Sequence, residues 1–337
     1  MNQDTDIANE LCKLFEQWSE TVPENIQQLP HSGSSRIYYR IKHKHISAIG
    51  VYNKNLPENI AFLNFTNQLL ESKINVPIIY AEKLDDDLYL IQDLGDKQLL
   101  SWLISDKIDN QFSDKAIDIY KKVISELVRI QIIAGRNFDY SKCYQHSVFN
   151  EASIKFDLNY FKINYADALN LKYDQNKLNS DFDLFAKYLL TADNNYFMFR
   201  DFQARNIILV NDYPFFIDYQ GGRKGPLQYD LVSLLFQAKA EVPSQIKNQL
   251  LEYYINIAQL FVPINKDEFI EYYFAFALIR VLQTLGAYGL RGLIEKKNHF
   301  IESIPLAINN LVYLNDKVEI LNKLPEIRNI IDQITHV

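Results

Sequence analysis

The spacing of apolar and polar residues changes along the chain and separates a strand-rich first part from a helix-rich remainder. Near the amino terminus, short runs of β-branched and aromatic residues alternate with turn-forming residues, which is the pattern of strands. These runs predict five strands, at residues 26–31, 36–41, 46–52, 76–83 and 87–96. Residues 58–72 instead carry apolar side chains at helical spacing, so we predict an amphipathic helix that packs on the sheet.

The second part of the chain has mainly a helical pattern. Residues 115–134 carry apolar side chains with charges between them and predict a long central helix. Residues 272–290 form the most apolar tract, but Arg280 and Gln283 interrupt it, so we expect a buried helix rather than a membrane span. Residues 280–292 are rich in glycine for a helix, which predicts close backbone packing or the approach of a ligand.

Residues 199–218 carry the candidate chemistry. They place Asp201, Asn206 and Asp218 at the spacing that magnesium-dependent phosphoryl transfer uses. A carboxylate orients the attacking hydroxyl and accepts its proton, while hard oxygen ligands hold the magnesium ions that bridge the nucleotide phosphates. We therefore predict Asp201 as the catalytic base and Asn206 and Asp218 as metal ligands. Apolar runs joined by the turn residues N-D-Y-P predict a hairpin that returns Asp218 to Asn206.

An aspartate and an asparagine separated by four residues recur by chance in many chains, and such a pair alone is more often structural. The next segment, residues 219–231, changes this balance because it resembles the aminoglycoside phosphotransferase and choline kinase family. There the metal aspartate is followed by a glycine-containing basic loop, here Q-G-G-R-K-G, and then by an aspartate that opens an apolar helix, here Asp230. The resemblance implies that Asp230 supports the catalytic loop and takes no part in the reaction.

The resemblance also implies an α+β, two-lobed, protein-kinase-like fold, with a small antiparallel sheet in the amino-terminal lobe and a mostly helical carboxy-terminal lobe. We expect residues 1–93 to form the nucleotide-binding lobe and residues 94–337 the catalytic and substrate-binding lobe. In this family the linker between the lobes pairs with the adenine edge through its backbone. Here that linker contains Gln92, Asp93 and Leu94.

A kinase-like fold also needs a turn that covers the phosphates, and small residues let backbone N–H groups approach phosphate oxygens. The turn between the first two predicted strands consists of Ser32, Gly33, Ser34 and Ser35, and we predict that it has this role. The assignment depends on position, because a turn with one glycine is an ordinary hairpin turn in most proteins.

The catalytic segment departs from the family at one position. Phe199 stands two residues before Asp201, where many relatives have a histidine, and we interpret it as a packing residue. Arg200 matches the arginine in the H-R-D sequence of protein kinases, which usually meets a phosphate. We expect Arg200 instead to form an ion pair with a nearby carboxylate.

The third predicted strand lacks the lysine that grips the α- and β-phosphates in kinases. It reads I-S-A-I-G-V-Y, with Gly50 near the expected position. Either Arg36 or Lys54 reaches the phosphates instead, or both are surface charges. Glu58 and Glu71 stand where the helix-borne glutamate that pairs with such a lysine is expected, but without the lysine neither is assigned this role. A degenerate kinase without activity is therefore an alternative, although the complete set of motif residues favours activity.

The acceptor is specified less closely than the reaction. Residues 199–230, together with G-A-Y-G-L-R-G at 286–292, resemble a bacterial branch of the family that includes sugar kinases acting on N-acetylmuramate and N-acetylglucosamine at the anomeric hydroxyl. We take Arg205, Gln220 and Arg223 as candidate substrate contacts. Basic residues at the site favour a bound anion such as a carboxylate and disfavour a polycation.

Two other acceptors stay open. Relatives that phosphorylate aminoglycosides also carry basic residues after the metal aspartate. Choline requires an aromatic cage for its quaternary ammonium group. Both tryptophans, Trp18 and Trp102, lie outside the catalytic segments, although tyrosines could build such a cage.

Length and charge limit the class of protein further. With 337 residues, the chain is long enough for one large two-lobed domain or for two ordinary ones. The formal net charge of −7, with no basic run, argues against a nucleic-acid partner. The two cysteines, Cys12 and Cys143, fit neither a zinc site nor a disulfide framework and predict buried thiols in a reducing compartment. The polar amino terminus lacks the apolar core of a secretion signal, so we expect a cytoplasmic protein.

Together these observations predict a phosphotransferase that uses ATP and Mg²⁺ and transfers the γ-phosphate to a hydroxyl of a small molecule. An amino sugar is the expected acceptor, with no nucleic-acid or membrane partner. The alternative from another functional class is a nucleotide- or sugar-binding regulator, which would bind nucleotide without releasing ADP.

Overall fold

The computed structural model describes residues 3–30, 35–107 and 112–335. Its first part contains five strands: β1 (Asn25–Gln28), β2 (Ile37–His43), β3 (Ile46–Tyr52), β4 (Ile79–Lys83) and β5 (Leu88–Gln92). They form one antiparallel sheet in the order β1-β2-β3-β5-β4. All five predicted strands are therefore present, with ends that differ by a few residues.

Two helices, α1 (Gln3–Ser19) and α2 (Leu56–Glu71), cover opposite faces of this sheet. Aliphatic and aromatic residues fill both layers, because successive side chains of a strand point to opposite faces. The α1 layer contains Ile7, Leu11, Leu14, Phe15, Tyr39, Ile41, Ala48, Leu88 and Leu90. The α2 layer contains Ile49, Val51, Phe62, Phe65, Tyr89 and Ile91 and is continuous with the core of the rest of the protein.

Gly50 lies on the α1 side of β3. A Cβ atom at Gly50 would lie 2.9 Å from Leu11 Cδ2 and 3.1 Å from Ile41 Cδ1, both in the α1 layer. The neighbours Ile49 and Val51 point to the α2 side. A lysine at Gly50 would therefore face α1. The position near which the sequence analysis expected the lysine could not supply a charge on the α2 side of the sheet.

The remainder is mostly helical, with two small antiparallel ribbons. Its helices are α3 (Leu99–Asp106), α4 (Asp114–Val128), α5 (Glu151–Phe161), α6 (Gln175–Leu189), α7 (Leu227–Leu235), α8 (Ser244–Ala258), α9 (Lys266–Tyr288), α10 (Asn298–Ile301), α11 (Ile304–Leu314) and α12 (Pro325–Thr335). Its strands are β6 (Tyr196–Met198), β7 (Ile207–Val210), β8 (Tyr213–Phe216) and β9 (Arg223–Gly225), which pair as β6 with β9 and β7 with β8. The predicted central helix is α4, continued by a wider helical turn at Arg129–Ile133.

Helix α9 and the wider helical turn that follows it, Gly289–Ile294, contain the apolar, glycine-rich tract. The segment Lys266–Ile294 is long and apolar enough to cross a membrane, but 67% of its most apolar window is buried inside the protein, as expected of a core helix. A Cβ atom at Gly286 would lie 2.9 Å from the Phe161 backbone, and one at Gly289 would lie 2.0 Å from Asn164 O. The glycines therefore allow close backbone packing against α5 and the turn that follows it.

Both cysteines are free, and they are half-buried rather than fully buried as predicted. Burial raises the pKa of Cys12, and it raises the pKa of Cys143 to about 11. Both thiols are therefore protonated at neutral pH.

Candidate active site

A short loop between β6 and β7 carries the first two motif residues. Asn206 donates a hydrogen bond from Nδ2 to the backbone oxygen of Asp201 over 2.9 Å. Strands β7 and β8 form the predicted hairpin, and Ile217 after it donates its N–H to the backbone oxygen of Asn206 over 3.0 Å. The Asn206 amide nitrogen also lies 3.3 Å from Asp218 Oδ2. The structure therefore brings Asp201, Asn206 and Asp218 together.

Asp218 offers hard oxygen ligands beside Asn206. Its backbone φ is 70°, in the left-handed region that aspartate and asparagine adopt more readily than most residues. Mg²⁺ is often held by one or two protein oxygen ligands together with nucleotide phosphates and water. In residues 3–30, 35–107 and 112–335, no group of three or more His, Cys, Asp or Glu residues could hold a metal by itself. The pair of Asp218 and Asn206 therefore fits Mg²⁺ that arrives with a nucleotide.

Asp201 is the other carboxylate of the site. Its side chain is 42% exposed, and Arg280 Nη2 of α9 lies 3.3 Å from its Oδ1. Burial raises the pKa of Asp201, but the positive charges of Arg280, Arg200, Arg205 and Arg223 outweigh burial and hold this pKa below its usual value. Asp201 is therefore ionised at neutral pH and can accept a hydrogen bond from a hydroxyl beside it.

Arg280 is a member of the site that sequence reasoning missed. It is only 5% exposed, and its Nε donates a hydrogen bond to Ser233 Oγ over 3.0 Å. The signal was present in the sequence, because Arg280 interrupts the most apolar tract of the chain. A buried guanidinium needs a partner such as a carboxylate, and here that carboxylate is Asp201.

Asp230 holds the start of the catalytic loop. Its Oδ2 accepts a hydrogen bond from the backbone N–H of Phe199 over 2.6 Å, and its Oδ1 accepts one from that of Arg200 over 3.0 Å. Arg200 has a φ of 78°, a conformation that these bonds help to maintain. Its Nη2 lies 2.7 Å from Asp157 Oδ1, which is the predicted ion pair with a carboxylate. Phe199 is buried and packs edge-on against Phe202.

The charge state of Asp230 gives a first prediction. Burial raises the pKa of Asp230 to about 7 from 3.8, against the lowering effect of its hydrogen bonds. Between these values the folded chain binds a proton that the unfolded chain does not, so stability falls as pH rises through this window. The loss is at most on the order of 4 kcal/mol, because each pKa unit corresponds to about 1.4 kcal/mol. We expect Asp230→Asn to remove this dependence.

Urea unfolding at about pH 5 and about pH 8 gives the free energy of unfolding of each protein at both pH values. The change between the two pH values should be larger for wild type than for Asp230→Asn. The exposed Asp183, which pairs with Lys155 on the surface, supplies the matched control Asp183→Asn. Equal changes in stability with pH for wild type and Asp230→Asn would contradict the prediction.

Arg36, which immediately precedes β2, joins the site from the sheet. Its Nη2 lies 2.7 Å from Asp218 Oδ1 and 3.7 Å from Glu58 Oε1 of α2. Because Arg36 is only 7% exposed, its interpretation as a surface charge is wrong. Of the two glutamates, Glu58 lies at the site beside Arg36, whereas Glu71 is exposed. Lys54 is exposed as well.

A cleft of about 710 Å³ connects the sheet with the catalytic loop. Its apolar walls come from the sheet, from α2, from β7 and from the segments that follow β1 and β8. They contain Leu29, Ile49, Phe62, Tyr89, Ile91, Ile208 and Ile217. The polar side of the lining includes Arg36, Asn206 and Asp218, and the predicted linker contributes Gln92, Asp93 and Leu94. The residues predicted for adenine and for the metal therefore border one cavity.

The predicted phosphate-covering turn is only partly described. Ser35 is exposed, whereas Ser32, Gly33 and Ser34 lie outside the described residues. Leu29 and Pro30, at the near side of this turn, line the cleft. The role of the turn therefore stays a prediction.

A second cavity, of about 250 Å³, is lined by Arg280, the ion-pair partner of Asp201, although Asp201 itself is not among the described residues that line either cavity. Arg205 lines both cavities, so the two meet at the catalytic loop. Side chains that donate hydrogen bonds or carry positive charge dominate the polar lining: Gln203, Arg205, Ser233, Gln237, Lys239, Arg280, Thr284, Tyr288 and His299. None of the described residues that line it is an aspartate or a glutamate.

The other two candidate substrate contacts lie elsewhere. Gln220 donates from Nε2 to Asp218 Oδ1 over 2.9 Å and to Glu58 Oε1 over 3.3 Å. Arg223 is 3% exposed and donates to Gly221 O and to Gln145 Oε1. Of the three residues, only Arg205 lines the second cavity.

A family model and two curated relatives match this chain. A model of the phosphotransferase enzyme family, APH, matches residues 28–261. An N-acetylmuramate/N-acetylglucosamine kinase of Neisseria meningitidis serogroup B is 26% identical over 253 residues, which are 72% of each chain. A protein of the same name from Pseudomonas putida is 23% identical over 318 residues, 92% of this chain and 87% of the relative.

Solved structures share the fold. An amicoumacin kinase in complex with AMP-PNP and Ca²⁺ superposes with a TM-score of 0.62 at 10% identity, over 94% of this chain and 96% of that one. Aminoglycoside phosphotransferases and choline kinases are similar in the same way. The predicted two-lobed, kinase-like α+β fold is thereby confirmed, while the boundary at residue 93 stays a prediction.

Proposed function

Since the chain belongs to the phosphotransferase enzyme family, we propose that it transfers the γ-phosphate of ATP to a hydroxyl of an amino sugar of the N-acetylmuramate or N-acetylglucosamine type. The second cavity carries the proposal. It offers hydrogen-bond donors for sugar hydroxyls and amides, and its described lining contains three permanent cations, of which Arg280 is paired with Asp201. The names of the two bacterial relatives support the same acceptor class.

The roles follow from the positions of the residues. Asp201 orients the acceptor hydroxyl and takes its proton. Asn206 and Asp218 would hold Mg²⁺, which neutralises charge on the phosphates. Arg205 belongs to the walls of both cavities, so its guanidinium is suited to stabilise charge on the phosphoryl group during transfer.

The charge of the second cavity disfavours the two other acceptors. A polycationic aminoglycoside would meet Arg205, Lys239 and Arg280. Aromatic side chains are present at Phe236 and Tyr288, as a choline site requires, but the same cations would repel a quaternary ammonium group. An acceptor with a carboxylate is favoured instead.

The function is tested by ADP release with ATP and Mg²⁺ across N-acetylmuramate, N-acetylglucosamine, choline and an aminoglycoside. We expect release with the amino sugars and little with the cations. Release with choline or the aminoglycoside alone would replace the proposed acceptor. No release with any acceptor, while ATP still binds, would favour a nucleotide-binding regulator.

A substitution at Lys239 tests the cavity itself. Lys239→Met keeps the apolar stem and removes one charge, so we expect kcat/KM for N-acetylmuramate to fall about 10-fold, the size of a lost charge-assisted hydrogen bond. The fall for N-acetylglucosamine, which lacks the lactyl carboxylate, should be smaller. Lys187→Met, at an exposed position of α6, is the matched control. Equal falls for both sugars would contradict recognition of the carboxylate.

A further inference from the structure

The nucleotide cleft needs a cation that β3 does not supply. The residues of β3 on the α2 side, Ile49 and Val51, are apolar, and Gly50 faces α1. The permanent cations among the described residues that line the cleft are Arg36, Arg40 and Arg205. Arg40 is bound to Asp93 and Asp96 at the linker, and Arg205, which also lines the second cavity, is assigned above to the phosphoryl group in transfer. Arg36 is the remaining one, and it touches the carboxylate proposed to bind the metal.

Carboxylates hold the Arg36 guanidinium in place, but not all of its N–H groups have a hydrogen-bond partner in the part of the chain that the structure describes. Its Nη2 is shared between Asp218, at 2.7 Å, and Glu58, at 3.7 Å. Its Nε is buried and has no hydrogen-bond partner among the described residues. A buried guanidinium N–H without a partner is unfavourable, so Arg36 would gain a charge-assisted hydrogen bond if a small shift of its side chain brought this N–H to a ligand oxygen.

The charges around Arg36 are unbalanced. Two carboxylates, Asp218 and Glu58, face one guanidinium, and the neutral Gln220 donates to both. Arg36 and Gln220 both bond to Asp218 Oδ1, an oxygen that a metal would also use. A nucleotide phosphate would offer Arg36 an anionic partner in place of Asp218, while Glu58 could continue to hold it.

We propose that Arg36 is the phosphate-binding cation of this site, supplied by the start of β2 in place of a β3 lysine. Glu58 positions it, and Asp218 is its partner until the nucleotide binds. The proposal rests on the proposed use of ATP but not on the identity of the acceptor. It explains how the cleft binds phosphates although the third strand carries no lysine.

Equilibrium binding of ATP in the presence of a chelator tests the proposal without metal and without turnover. Arg36→Met should raise the dissociation constant at least about 10-fold, because a charge-assisted contact to phosphate is lost. Arg36→Lys keeps the charge and should recover part of the affinity. Lys54→Met, which removes the exposed lysine that sequence offered as the alternative, should leave the affinity unchanged.

Glu58→Gln distinguishes positioning from direct contact. It should weaken ATP binding in the wild-type background and have no further effect in Arg36→Met, because Glu58 acts through Arg36. Wild-type affinity in a folded Arg36→Met protein, or a loss caused by Lys54→Met instead, would overturn the proposal. If Arg36→Met does not fold, Glu58→Gln is measured in the wild-type and the Arg36→Lys backgrounds, and an ATP affinity that Glu58→Gln leaves unchanged in both overturns the proposal equally. Weakened ATP binding with no acceptor phosphorylated would leave Arg36 assigned and reject the proposed function.

Discussion

Asp201→Asn is expected to lower kcat roughly 10²-fold or more while changing the affinity for ATP little. Asparagine has nearly the shape of aspartate but cannot accept the proton of the acceptor hydroxyl. Asp201 does not line the nucleotide cleft, which is why ATP binding should persist. Single-turnover phosphorylation of N-acetylmuramate, measured beside ATP affinity, checks both parts. A rate equal to wild type would remove Asp201 from the reaction.

The control for this prediction separates loss of the base from release of its partner. Asp201→Asn also takes the carboxylate away from Arg280, whose Nη2 lies 3.3 Å from Asp201 Oδ1. Arg280→Met breaks the same ion pair but keeps the base. Loss of the Arg280 charge raises the pKa of Asp201, so the acidic limb of the kcat/KM profile should move to higher pH. Above that limb kcat should stay well above that of Asp201→Asn, even if KM for the acceptor rises. A loss as deep as that of Asp201→Asn at every pH would assign the effect to Arg280.

Asp218→Asn should have the larger effect, a fall in kcat/KM for ATP with Mg²⁺ on the order of 10³-fold, as for other preorganised charges at a phosphoryl-transfer site. Asparagine tolerates the left-handed φ of 70°, so the backbone should be preserved. The substitution also frees Arg36 from its 2.7 Å contact. Binding of ATP in a chelator should therefore be retained or become tighter, while the Mg²⁺ concentration needed for activity rises.

Asp212→Asn is the matched control for Asp218→Asn. Asp212 lies in the turn between β7 and β8, has a φ of 60° and pairs with Lys97 and Lys115 away from the cleft. We expect it to leave the Mg²⁺ dependence unchanged. The same Mg²⁺ dependence in Asp218→Asn as in wild type would exclude Asp218 as a metal ligand.

Local pattern was enough for the centre of the site. Asp201, Asn206 and Asp218 lie within 18 residues, and the turn residues between β7 and β8 determine how Asp218 returns to Asn206. The strands were predictable for the same reason, because alternating apolar runs bounded by turn residues are a short-range signal.

Contacts between residues far apart in the sequence could not be predicted from the local pattern of residues. Arg280 is separated from Asp201 by 79 residues, and Arg36 is separated from Asp218 by 182. Their contacts depend on how α9 and the start of β2 pack, which single-residue spacing does not encode. Whether a side chain at position 50 would face α1 or α2 likewise depends on which face of the sheet each helix covers. Composition could show only that a buried arginine such as Arg280 needs a partner.

The shared wall at Arg205 has a consequence for inhibitor design. Because one side chain borders both the 710 Å³ cleft and the 250 Å³ cavity, ligands bound in the two would lie on either side of Arg205. Joining an adenosine polyphosphate to a carboxylated sugar makes the second binding event intramolecular, so affinity rises through effective concentration rather than through new contacts. The useful linker is the one whose length matches the path past Arg205, and its anionic groups would meet that guanidinium on the way.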